Sequence, residues 1–175
     1  QVDQLQGGAN LGELTDLMYF VKKLYKSLRV PANRLEPDST YQDEFYEQLK
    51  EISQEVNMLA KIASPGNSEN LTKEFSLESD DSVVVVLMGE YDLPNKNGRF
   101  DYGWIEDDKG TKIWSPWDKD TTTADYAGGV KSNRLTVEKI KLGPGDYKLR
   151  YVSDAAYSPE LWVMSPPDHQ EYWGI

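Results

Sequence analysis

The chain contains no cysteine, one histidine, and no apolar run approaching the length of a membrane span. Without cysteine there is no disulfide, no thiolate metal site and no cysteine nucleophile. A disulfide-stapled secreted fold is therefore excluded, although the bacterial periplasm and a virion are not. The lone His169 sits beside Asp168 in a loop-like tail and reads as a solvated residue rather than a general base. Cations are also scarce, with 19 Lys and Arg against 30 Asp and Glu and a formal net charge of −11. That balance argues against a nucleic-acid surface, because phosphate binding needs clustered positive charge. No run is long enough to span a membrane. The start at Gln1 is read as having no signal peptide or having already lost it. Ser and Thr nucleophiles lack an embedding motif such as GxSxG, and no carboxylate pair for glycoside hydrolysis can be singled out. Glu90 and Glu106 read as edge or surface charges. No catalytic residue and no cofactor is assigned, and the chain is read as a non-enzyme.

What is present is patterned in two ways. After a polar start carrying Gly7 and Gly8, Leu14, Leu17, Met18, Val21, Leu24, Tyr25 and Leu28 recur at helical steps. They predict a helix over roughly 15–29 that ends before Pro31. Phe45, Leu49, Ile52, Val56, Leu59 and Ala63 alternate steps of four and three. They predict a second helix over 43–63, whose seam packs inward or pairs with another copy in a homo-oligomer. The run SPGNSEN at 64–70 breaks both helix and strand and is read as a linker.

From residue 71 the period becomes two. Leu71–Leu77, Val83–Met88, Phe100–Asp107, Leu135–Leu142 and Tyr147–Val152 read as strands. VVVVLM reads as buried on both faces. The stretch FDYGWIEDDKGTKIW, 100–114, reads as a β-hairpin closed at Gly110, with its aromatic arms awaiting cover from their neighbours. The step from Val137 to Ile140 breaks strict alternation and suggests a bulge. Gly143–Asp146 is a tight turn, and Ser158–Ile175 is loop-like. The expected fold is mainly β: an antiparallel, jelly-roll-like β-sandwich at 71–175, preceded by two α-helices in a helical segment at 1–63. A closed barrel is the alternative.

The functional lead is a set of aromatic residues in loops. Trp117, Tyr126, Tyr157 and Trp162 would be exposed platforms for a protein or a glycan, because rings bind by stacking and desolvation. Arg134, Arg150 and Asp154 are expected to form an ion network beneath such a loop. Asp118 and Asp120 are weak calcium candidates, since calcium takes oxygen ligands from acidic loops. No metal is assigned.

Two resemblances cover different parts of the chain. GGANLGELTDLMYFVKKLYKSLRVPANRLEPDSTY, 7–41, resembles a segment of the portal protein of contractile-tailed bacteriophages through its NLGEL-x-D run, its YF-x-KKLYKSL helix and its VP-x-xRLEP exit. In that family the full protein is several times longer and forms a ring through which DNA passes. This chain lacks the rest, so neither ring nor channel is implied. Residues 71–175 resemble a bacterial β-sandwich domain of unassigned function. Its four hallmarks stand here in order, at Phe100–Asp107, Ala127–Arg134, Leu142–Asp154 and Pro166–Ile175. One piece departs: family members often carry Ser-His and Asp-Trp-Asn where this chain has Ala155-Ala156-Tyr157 and Leu161-Trp162-Val163. The resemblance implies fold rather than activity. The expectation is therefore a non-enzymatic module that presents aromatic loops to a protein or glycan, bacterial extracytoplasmic or virion-associated. The alternatives are a portal-related structural protein and a carbohydrate-active enzyme.

Overall fold

Alternating side chains build nine strands in the computed structural model, which describes residues 46, 47, 49–51, 57–91, 98–117 and 124–175. The long strands are β1 (Asn70–Leu77), β2 (Asp81–Tyr91), β3 (Arg99–Asp107), β6 (Asn133–Leu142) and β7 (Gly145–Val152). The short ones are β4 (Lys112–Trp114), β5 (Asp125–Tyr126), β8 (Tyr157–Ser158) and β9 (Leu161–Trp162). All pairings are antiparallel.

β1 runs against β7 from Asn70↔Val152 to Leu77↔Gly145, and β2 runs against β6 from Asp81↔Leu142 to Glu90↔Asn133. The two ladders are one long two-stranded ribbon that changes direction between them, at 78–80 on one strand and 143–144 on the other. Phe75 stacks on Tyr147 near this corner at 5.3 Å, and the Tyr147 hydroxyl donates to the Gly143 carbonyl at 2.9 Å. β3 joins the arms of the bent ribbon. Its first residues pair with the end of β2, Arg99↔Tyr91 and Asp101↔Glu90, and the rest pairs with β7 from Tyr102↔Val152 to Asp107↔Tyr147. The strand order is β1-β7-β3-β2-β6-β5, with β4 on β3 and a separate β8–β9 pair.

The core lies where the two arms face each other: Val85 and Leu87, Ile140 and Leu142, Leu149 and Tyr151, with Ile105 and Trp114. Burying a ring the size of Trp114 contributes up to about 4–6 kcal/mol by apolar area. The core-facing positions of β6 also hold Thr136 and Glu138. Both are satisfied inside, Thr136 by the Tyr91 hydroxyl at 2.8 Å and Glu138 by the Trp114 indole N–H at 2.8 Å.

Several expectations need correction. The helix expected at 15–29 and most of that at 43–63 lie outside the described residues. Of the second, Tyr46, Glu47, Leu49, Lys50 and Glu51 are helical, but 57–62 are not, and two α-helices are not found among the described residues. The chain divides into the units Gln1–Asn57 and Met58–Ile175. The stretch 62–64, expected as helix end and linker, instead pairs with the tail. Ile62 and Ile175 exchange backbone hydrogen bonds at 2.7 and 3.0 Å, the Ser64 N–H donates to the Trp173 carbonyl at 2.8 Å, and Gly174 exchanges bonds with Met88. β6 runs against β2 without a bulge at 137–140; the irregularities fall at Glu90/Tyr91 and Ile105/Glu106. Val84 is exposed, so VVVVLM is not buried on both faces along its whole length. The tail holds β8, β9 and a 3₁₀ turn at Gln170–Tyr172 rather than loop alone.

Candidate functional site: a buried acidic junction and the loop above it

The side chains that gather where β2, β3 and β7 meet come from all four hallmark motifs. The alternation of β3 turns Asp101, Gly103 and Ile105 toward the inside, which places a carboxylate in the core. Asp101 is wholly buried. Its Oδ1 accepts from the Asp154 N–H at 2.8 Å, whereas its Oδ2 has no partner. Glu90 is buried beside it at the end of β2, and its Oε1 accepts from the Ser132 hydroxyl at 2.6 Å. Burial pushes the Asp101 carboxyl up to about 7, and the Asp154 and Glu90 carboxylates push the same way. The Asp154 N–H opposes them. The same burial raises the Tyr151 hydroxyl well above its usual range, with the negative charges of Asp101 and Glu90 adding to the effect. That hydroxyl donates to the Met88 carbonyl at 3.1 Å.

Asn133, fully buried, ties the next motif in. Its Nδ2 donates to the Gly128 carbonyl and to the Tyr157 hydroxyl, both at 2.8 Å. The Tyr157 hydroxyl donates onward to the Ser165 carbonyl, and burial lifts its pKa to about 12. Tyr157, Trp162 and Trp173 pack edge to face around one another, with centroids 4.6–5.6 Å apart. Gly129 carries a positive φ, and a Cβ there would lie 2.0 Å from the Pro166 carbonyl oxygen. The AGG turn is thus the seat for the PPD segment, where the Asp168 N–H donates to the Ala127 carbonyl at 2.9 Å.

Above this base runs the loop 157–165. Tyr157↔Trp162 and Ser158↔Leu161 make a tight hairpin. The Trp162 indole N–H donates to Gln170 Oε1 at 2.9 Å, and the Ser165 carbonyl accepts from the Val130 N–H at 3.1 Å. Between these anchors Leu161, Val163 and Met164 stand exposed.

The structure separates the residues expected to bind. Trp117 and Tyr157 are buried rather than exposed. Trp117 belongs to the core, edge-on to Tyr91 and Tyr102, with the Arg99 guanidinium 4.6 Å from its ring centre. Tyr126 is half-buried and its hydroxyl donates to the Gly129 carbonyl. Trp162 is half-buried on the aromatic base. Arg134, Arg150 and Asp154 each have partners of their own among the described residues. Arg134 donates to the Lys131 and Asn133 carbonyls. Arg150 lies 3.6 Å from Glu106 and donates to Asn70 Oδ1 at 3.0 Å. The Asp154 carboxylate accepts from the Ala156 N–H at 3.0 Å. Asp118 and Asp120 lie outside the described residues, among which no group of three or more His, Asp or Glu side chains is placed to hold a metal ion. Asp101 was missed by sequence reasoning. The signal that could have found it is an acid at an inward position of an alternating strand.

Residues 1–59 are similar to the family described as bacteriophage T4-like portal protein (Gp20). A stretch of 34 residues is 47% identical to the portal protein of Vibrio phage KVP40, covering 19% of this chain and 7% of that protein. The chain thus spans a small fraction of the curated relative's length. No solved structure matches. The family match ends before β1, so the resemblance of 71–175 to a bacterial β-sandwich domain rests on its four motifs. No helix among the described residues is long and apolar enough to cross a membrane.

Proposed function

We propose that this chain is a non-enzymatic structural component of a phage particle, with a portal-like segment at its N-terminal end and a β unit that serves as an interaction module. The observation that carries the reading is the similarity of residues 1–59 to the T4-like portal family. The β unit supports binding over catalysis because its polar groups are used on the fold itself. Asp101, Asn133 and Tyr157 hold strands and loop together, and Asp101 is shut away from solvent where no substrate reaches it. The bent ribbon, with β3 joining its arms, favours a sandwich over a closed barrel, because a strand that leaves one sheet for the other makes a corner between packed faces. Burial of Trp117 and Tyr157 favours a protein partner over a glycan, since the rings that would stack on a sugar are turned inward.

The test is co-expression of the full chain with a T4-like portal protein, followed by size-exclusion chromatography. The chain is expected to elute with the portal assembly, and the variant Leu17→Glu/Leu24→Glu, which charges the apolar face read from the sequence, is expected to elute alone. Separate elution of both would reject the reading.

A further inference from the structure

Three buried side chains that carry acceptor oxygens stand in one row across the sheet. Glu90 on β2 is paired with Asp101 on β3 and with Asn133 on β6. Residues directly opposite in antiparallel strands point to the same face, so the three share one face with Glu90 in the middle. The Tyr91 N–H donates to the Ser132 carbonyl at 3.0 Å, which makes Glu90 and Asn133 the closer, non-hydrogen-bonded kind of pair. Glu90 is 7% exposed, and Asp101 and Asn133 are wholly buried. The outer two members are each tied on the side away from Glu90. Asp101 Oδ1 accepts from the Asp154 N–H just past β7, the other neighbour of β3. Asn133 Nδ2 donates to the Gly128 carbonyl just past β5, the other neighbour of β6. Each planar group thus turns its second oxygen back toward the middle of the row. Those two atoms, Asp101 Oδ2 and Asn133 Oδ1, are buried and have no hydrogen-bond partner.

Buried acceptors left without a donor are costly, and these two cannot satisfy each other. A proton on Asp101 serves its own carboxyl and leaves the Asn133 oxygen as it was. A water offers donors but no charge to set against two carboxylates. A cation serves every oxygen of the row at once. The Asp154 and Glu90 carboxylates both push the Asp101 carboxyl up, so its charged form gains most from a positive neighbour. The donor set is all oxygen, two carboxylates and one amide carbonyl, which suits a hard cation. Only two of the three are acids, so the row does not make a three-acid metal group. Magnesium keeps several waters, which burial this complete opposes, whereas calcium accepts protein oxygens in irregular geometry. Its double charge matches the two carboxylates.

We propose that Asp101, Glu90 and Asn133 bind a calcium ion that the β unit takes up as it folds. This goes beyond the portal-like reading, which concerns residues 1–59, and it stands or falls separately. The full chain, stripped with a chelator and dialysed, is titrated with calcium chloride by calorimetry. Its urea midpoint is then read with ~1 mM calcium, with magnesium, and with potassium chloride at matched ionic strength. A single ion per chain should bind, and the midpoint should rise in calcium alone. Asp101→Asn and Glu90→Gln each keep the side chain's shape and remove one charge. Either should weaken calcium binding at least ~10-fold and erase the midpoint shift. If one of them fails to fold, the other carries the test. Asp80→Asn/Asp81→Asn, in an exposed turn, should bind calcium as wild type does. An equal rise in all three salts marks mere screening of the acidic chain and overturns the proposal. So does a calcium response that both junction variants retain, or a wild-type chain that binds no calcium. Portal co-elution is indifferent to each of these results, which keeps the two readings apart.

Discussion

Two glycines mark two kinds of order in this molecule. Gly110, at φ +78°, ends the β3–β4 turn, and a Cβ there would meet nothing within 4 Å. Gly174, at φ +124°, lies between 62–64 and β2, and a Cβ there would lie 2.0 Å from the Ile62 carbonyl oxygen. The turn is held by its own residues. Asp107 Oδ1 accepts from the Lys109 and Thr111 N–H groups at 3.0 and 2.7 Å, and the Gly110 N–H donates to the Asp107 carbonyl at 3.0 Å. The junction is held by residues far apart in sequence: Asp101 with Asp154, Asn133 with Tyr157, Met88 with Gly174. Local order of the first kind opens locally at small cost. The second kind opens only with the sheets, so damage there is felt by the whole unit.

The contrast can be broken most severely at Gly174. Gly174→Ala adds backbone strain to a direct collision and should lower stability by about 3 kcal/mol or more, read as a drop in urea midpoint. Tyr157→Phe removes the hydroxyl that serves both Asn133 and Ser165 and should cost about 1–3 kcal/mol. It should also raise proteolysis at 159–164, because the aromatic base loses its polar tie. Gly110→Ala should cost only about 1 kcal/mol, for the positive φ alone, with no change elsewhere by hydrogen exchange. A Gly110→Ala loss as large as that of Gly174→Ala would abolish the distinction.

The same division decides what was legible in the sequence. β1, β3 and β7 announce themselves by alternation, β2 by its continuous apolar run, and the 100–114 hairpin by Asp107 and Gly110 around a short turn. β6 was legible as a strand but not in register. Its inward positions carry Thr136 and Glu138, while Leu135 is buried on the opposite face beside Met88, so the apolar pattern mimics a bulge. The heptad-like spacing through Leu59 and Ala63 misled because the tail competes for that backbone: Trp173–Ile175 pairs with 62–64 as a short strand would. Tertiary pairing overrides local periodicity there. The aromatic residues were found, but their direction was not, since Trp117 and Tyr157 turn inward only when distant partners are in place. Leu161 and Val163 enter the sequence reading only as a departure from the motif of the resembled domain, and their exposure is set by the tertiary fold.

The buried polar groups of the β unit serve the fold, with Asp101 at their centre. An acid whose carboxyl is raised from 3.8 to about 7 on folding binds its proton more tightly in the folded state. Its contribution is therefore fully retained below pH ~4 and lost as pH rises through ~7. At ~1.4 kcal/mol per unit, the loss is about 4 kcal/mol. The charges that act on Asp101 are the Asp154 and Glu90 carboxylates, while the Tyr151 and Tyr157 hydroxyls, raised by their own burial, stay protonated across this range. Asp101→Asn keeps an acceptor for the Asp154 N–H and removes the charge. The decisive measurement is the urea unfolding free energy of the full chain and of this variant from pH 4 to pH 8. Wild type is expected to fall relative to the variant by a few kcal/mol across that range, with the steepest change between pH ~5 and ~7. Parallel curves would contradict it, because Asp101 would then be charged at no cost and the junction would not be the buried centre described.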